Sequence, residues 1–177
     1  MFQEFGALVS RRVKSPPVCY SEDMTPKDPF RPMDDEARTT IADLMTATHA
    51  ALAVTREDGT PSVTRIALAT DKDNAPVTLI SDLSMHTAAL RDARSCALLI
   101  GEPGDKGDPL THPRLTLHCQ AEFVEQGSDA HVALRAQYLA QRPKAKLYVD
   151  FADFHFVRFD VVDGLLNAGF GKAYKIP

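Results

Sequence analysis

Between Thr78 and Gly101 the chain reads TLISDLSMHTAALRDARSCALLIG: a short apolar strand, a polar turn, one short helix and a second apolar strand. Ser81 closes the first strand. Ser84 stands where a helix N-cap belongs, with Met85, His86 and Thr87 as the first helical turn. This order gathers first-turn N–H groups, the positive end of a helix dipole, two hydroxyls and an imidazole, which is the composition of a phosphate site. A phosphate there would take amide and side-chain donors together, and a partly protonated His86 would add charge-assisted bonds. A capped helix without a ligand is the plainer reading of the same spacing.

The flanking sequence alternates with period two. HAALAVT (His49 to Thr55) reads as a small-residue strand, REDGTP as an Asp-Gly turn, and SVTRIALAT as a second strand. That second strand places Thr64, Ile66 and Leu68 on one face and Val63, Arg65 and Ala67 on the other. After a loop rich in Gly, Pro and Asp from Gly101 to Pro113, RLTLHCQAEFV alternates cleanly. Leu115, Leu117, Cys119, Ala121 and Phe123 face one way, as in a half-buried antiparallel strand. Helices are expected from near Asp34 and from a Ser128 cap to a stop before Pro143. FHFVRFDVV reads as the last strong strand. Hairpin-linked strands with occasional helices do not follow a βαβ rhythm. The expected fold is mainly β with peripheral helices (α+β): a six- to seven-stranded antiparallel barrel.

At 177 residues the chain has room for one domain with a real core. Pro16, Pro17, Pro26, Pro29 and Pro32 mark residues 1–32 as an arm, leaving 33–177 as the domain. The net charge of −4 comes with scattered Lys and Arg, so no basic stripe suggests nucleic acid. No apolar run approaches the roughly 18 residues of a membrane span. Cys19, Cys96 and Cys119 form no CxxC pair, and SRRVK is not followed by the apolar segment of an export signal, so a reduced, cytoplasmic protein is expected.

The order of motifs then matters more than any one of them. GTPSVTRIAL, TLISDLSMHTAALRDARSCALLIG, RLTLHCQAEFV, YLAQRPKAKLYVDFADFHFVRFD and LLNAGFGKA together resemble the FMN-binding split barrel of the pyridoxamine 5′-phosphate oxidase type, closest to its haem-utilisation branch. The resemblance covers about His49 to Tyr174. It implies a six-stranded split barrel working as a homodimer, with FMN in a groove between subunits, and an FMN-dependent oxidoreductase acting on a small-molecule substrate it does not identify. Carried over residue by residue, it places Thr64 and Arg65 towards the flavin or its ribityl phosphate and Ser81 on the phosphate. Gln120 would lie on the strand bordering the cofactor. His86 and Thr87 stand where the oxidases usually have an Arg-Lys pair, a departure that removes two fixed positive charges. The oxidase's C-terminal tryptophan and arginine pattern is not recognisable, and the chain has no Trp, so pyridoxamine phosphate oxidation itself is not expected.

In the GFGKA segment, Gly169 and Gly171 allow positive φ and close backbone approach, Phe170 can stack on a ring, and Lys172 can meet a phosphate or a flavin carbonyl. A tight turn closing the barrel is the alternative. His118 and Cys119 are neighbours on a strand and so point to opposite faces, which argues against zinc. Haem is the rival ligand, because the resembled branch includes haem-binding and haem-degrading proteins. That branch holds iron with a histidine beyond the glycine-rich segment, whereas here no histidine follows His155 and Tyr174 is the one terminal substitute. The expectation is therefore an FMN-binding oxidoreductase, with a haem-binding protein or a non-catalytic flavin-binding protein as the alternatives. No side chain stands out as a catalytic acid or base.

Overall fold

The computed structural model describes residues 28–177. The arm and Cys19, apart from residues 28–32, lie outside the described residues. In chain order the elements are α1 (Asp35–Leu44), β1 (His49–Thr55), β2 (Pro61–Ala67), β3 (Ala69–Thr70), β4 (Pro76–Ser81), α2 (Met85–Asp92), β5 (Ser95–Ile100), β6 (Arg114–Phe123), α3 (Asp129–Gln141), β7 (Phe154–Asn167) and β8 (Ala173–Ile176). All strand pairs are antiparallel, in the order β2-β1-β5-β6-β7-β4-β3, with β8 also on β7. Strand β6 takes one edge of β7 along its length, while β4 and β8 share the other edge. Strand β2 comes back alongside β4, and the Thr78 hydroxyl donates to the Ala67 carbonyl at 2.7 Å across that seam. The sheet thus curls into a half-barrel.

The expected antiparallel split barrel is what forms, with seven full strands and β3 as a two-residue stub. SVTRIALAT divides into β2 and β3, because the chain turns at Leu68, which is fully buried. Alternation sets the main core: Leu52, Leu98, Leu115, Leu117 and Cys119 point inward and are capped by Leu90 of α2 and Ala37 of α1. Strand β4 is buried from Pro76 to Ile80 because both its faces are covered, and its one buried hydroxyl, on Thr78, is satisfied by the Ala67 carbonyl. Its Ile80 joins the main core, while Val77 and Leu79 pack with Phe156 under Leu134 and Tyr138 of α3. Asp34 and Ser128 cap α1 and α3 through their side chains, accepting N–H bonds from Ala37 and His131.

One irregularity interrupts β7. Pairing runs Arg114↔Asn167 to His118↔Asp163, then resumes as Cys119↔Val161, so Val162 is an extra residue. The bulge switches the inward phase of β7 from odd numbers (Val157, Phe159) to even ones (Gly164, Leu166). Asp163 is thereby turned outward, opposite His118.

Candidate functional site

The turn between β4 and α2 is held by its own side chains. Ser81 Oγ donates to Asp153 Oδ2 at 2.6 Å and accepts the Leu83 N–H at 3.1 Å. The Thr87 hydroxyl, 1% exposed, donates to the Ser81 carbonyl at 2.7 Å. Asp82 accepts from Arg91 at 2.9 Å and pairs with His155 Nε2 at 2.7 Å; these two hydrogen bonds hold its carboxyl below the usual range. Arg91 also lies over the Phe123 ring, 4.3 Å from its centroid. Ser84 occupies the N-cap position, but its hydroxyl makes no capping bond. His86 Nε2 is buried without a hydrogen-bond partner among the described residues, and burial lowers the ring's pKa. The partly protonated donor expected at this turn is therefore a predominantly neutral imidazole at pH 7.

Other sequence-nominated residues lie elsewhere. Thr64 faces the barrel interior opposite Leu52, whereas its neighbour Arg65 points outward and pairs with Glu102 at 3.5 Å. Gly169 and Gly171 do adopt positive φ (119° and 68°), in the turn from β7 to β8. Phe170 is 95% exposed, and Lys172 is paired with Glu36 of α1 at 2.7 Å. From Phe154, beside Ser81, to Asn167, before this turn, β7 advances thirteen residues, roughly 43 Å along the strand at about 3.3 Å per residue. One chain does not bring the Ser81 turn and the Lys172 turn to a single small ligand.

The outward face of β1, β5 and β6 carries a further grouping. A groove of about 420 Å³ is lined by Ala53, Ala97, Ser95, His118, Gln120 and Val162. Gln120 Nε2 donates to Ser95 Oγ at 2.9 Å, which leaves its amide oxygen free to accept. His118 Nδ1 is hydrogen-bonded to Asp163. An ionised carboxylate only accepts, so that ring nitrogen carries the proton. Cys96 and Cys119 are directly opposed on β5 and β6, and burial pushes their thiols up to about 11 and about 12, which keeps both protonated. A larger cleft of about 730 Å³ separates the β1–β2 turn from α2, but Glu57, Asp58 and Asp92 against Arg56 make it a poor place for a phosphate.

These features describe an antiparallel half-barrel with a short helix after its fourth strand and a small-residue sheet face that no other described residues cover. The family model for pyridoxamine 5′-phosphate oxidase matches residues 33–167. The chain belongs to the pyridoxamine 5′-phosphate oxidase family. One solved chain shares 42% identity over 82% of this chain and 95% of its own, with a TM-score of 0.73. A heme binding protein from Mycobacterium smegmatis is 29% identical over 80% of this chain, with a TM-score of 0.69. This chain spans 56% of that protein's length. ChuZ from Campylobacter jejuni shares the fold at 20% identity, covering 82% of this chain and 61% of its own, with a TM-score of 0.72. No curated protein matches the chain. Among the described residues no helix is long and apolar enough to cross a membrane.

Within the pyridoxamine 5′-phosphate oxidase frame, sequence reasoning nominated Gln120 but did not identify the acid that meets His118. The signal it lacked was the β7 bulge. VVDG reads as an ordinary strand, and only the paired register reveals which acid meets the histidine.

Proposed function

We propose that the chain is a flavin-binding oxidoreductase of this family that works as a homodimer, with FMN in a groove between two copies. The observation that carries this reading is the groove on the outward β1-β5-β6 face. Ala53 and Ala97 leave a low, apolar wall for a flat ring, and Gln120 and Ser95 supply polar atoms at its border. The ring half of FMN fits these residues. The phosphate half fits less fully: Ser81, Thr87 and Lys172 are already hydrogen-bonded within the chain, and the Thr87 N–H is bonded to the Ser84 carbonyl, leaving the Ser84 hydroxyl and the Met85 and His86 amides of α2. Two separate clusters and an open sheet face support a dimer, in which one copy's turn can approach the other's groove.

When bound, the flavin would supply hydride or single-electron transfer. The chain's part is to seat the ring against the two alanines, fix its edge through Gln120 and exclude water from one face. Titrating FMN with the purified protein should quench flavin fluorescence saturably, and light scattering should give twice the chain mass of 19.4 kDa. No saturable quenching at micromolar protein would overturn the flavin reading, and a monomer at all concentrations would overturn the shared groove. A haem-binding role is the second reading, favoured by likeness to the mycobacterial heme binding protein. A stoichiometric haemin complex with a sharp Soret band would replace the first reading with the second.

A further inference from the structure

The β7 bulge does more than bend a strand. With unbroken pairing His118 would face Val162, and Asp163, an odd-numbered position, would point into the core. The one extra residue instead sets Asp163 against His118 on the outward face and leaves Val162 at the wall of the groove. Bulges recur where a strand must re-aim a side chain beside a site. His118 Nδ1 is committed to Asp163, while Nε2 has no hydrogen-bond partner among the described residues. His118 and Asp163 are 49% and 54% exposed, so the ring is reachable from the groove. Gln120, two residues on, lines the same wall.

We infer that His118, oriented by Asp163, is the groove's proton-holding partner for the reduced flavin ring. The inference rests on the flavin reading above. A two-electron donor and one proton convert the oxidised ring to a singly anionic reduced ring. The imidazole takes a further proton from solvent at Nε2, and the resulting imidazolium faces that negative charge. A carboxylate on the far nitrogen fixes the ring and stabilises the imidazolium as it forms, with its positive end towards the groove. Charge placed beside a flavin is one of the ways a protein tunes its electronics. Asp163 acts through His118 and is a positioning residue.

The test uses the full chain with FMN, a mild two-electron reductant and a reference dye, at one neutral pH. His118→Gln keeps a hydrogen-bonding side chain that cannot become cationic. It should lower the preference for reduced over oxidised FMN at least tenfold, read as a midpoint potential more negative by about 30 mV for a two-electron couple. His118→Lys, which restores positive charge without the imidazole shape, should recover most of that loss, an outcome a packing role does not produce. Asp163→Asn should fall between wild type and His118→Gln. If wild type and both His118 variants bind FMN with the same potential, this inference is overturned and the flavin reading stands. If wild type binds no FMN, both are overturned.

Discussion

Replacing Thr87 by Val separates a structural role for the β4–α2 turn from a ligand-binding one. The Thr87 hydroxyl donates to the Ser81 carbonyl at 2.7 Å, and the same carbonyl accepts the Ser84 N–H at 3.0 Å. Valine keeps the side-chain shape, removes one donor and leaves the carbonyl its second bond. The cost is that of one net hydrogen bond, about 1 kcal/mol, and less than that of an orphaned buried group. For a domain of this size it corresponds to a Tm lower by about 2–4 °C. Urea and thermal unfolding of the ligand-free protein measure it. Ser84→Ala is the control, since that hydroxyl makes no capping bond. Its loss should cost under about 0.5 kcal/mol, where a capping serine is typically worth about 1. A Thr87→Val protein as stable as wild type, but with FMN affinity lowered tenfold, would refute the reasoning, because the hydroxyl would then face the ligand.

With Ser81, Thr87 and Lys172 bonded within the chain, riboflavin should bind within about tenfold of FMN, the worth of roughly one hydrogen bond. A preference of several hundredfold in parallel quenching titrations would show that the turn opens to take the phosphate. Burial lowers the pKa of His86 from an ordinary 6.5, so the unfolded chain takes up the proton first as pH falls. Stability should therefore decline as the pH drops through about 6.5. His86→Leu should flatten that limb of a Tm-against-pH profile, and an unchanged slope would exclude His86 as its source. Gly101 has φ of 113°, and a Cβ there would sit 2.6 Å from the Pro113 carbonyl oxygen. Gly101→Ala should cost at least about 2 kcal/mol in chemical denaturation, and a neutral result would mean that the β5–β6 connection relaxes freely.

What could be read in the sequence follows from how local each determinant is. The inward row Leu115, Leu117, Cys119 and Ala121 was legible because one strand with one wet face alternates by itself. Asp34 and Ser128 were legible as helix starts because a cap bonds two or three residues away. Leu68 continues an apolar run, so nothing local announces the break between β2 and β3. Ser81 pairs with Asp153, 72 positions on, and Lys172 with Glu36, 136 positions back; both partners are chosen by sheet register and packing. The SDLSMHT turn was therefore placed correctly between strand and helix, while the occupation of its hydroxyls could not be foreseen. The His118–Asp163 pair is the extreme case, since it depends on one added residue whose effect exists only between strands.

The short stretch before α1 has a consequence for how the molecule behaves among copies of itself. Arg31 donates its N–H to the Ala173 carbonyl at 2.8 Å, in a parallel bridge alongside Tyr174. Lys175 lies over the Phe30 ring, and the Tyr174 hydroxyl donates to Asp34, the residue that caps α1. Strand β8 is paired with β7 on its other side, so this stretch screens what would otherwise be an open strand edge. An open edge is a template for another chain's backbone. Trimming the protein back to residue 33 would keep the whole barrel and bare that template. The shortened form should polymerise on storage where a form beginning at or before Asp28 stays dispersed.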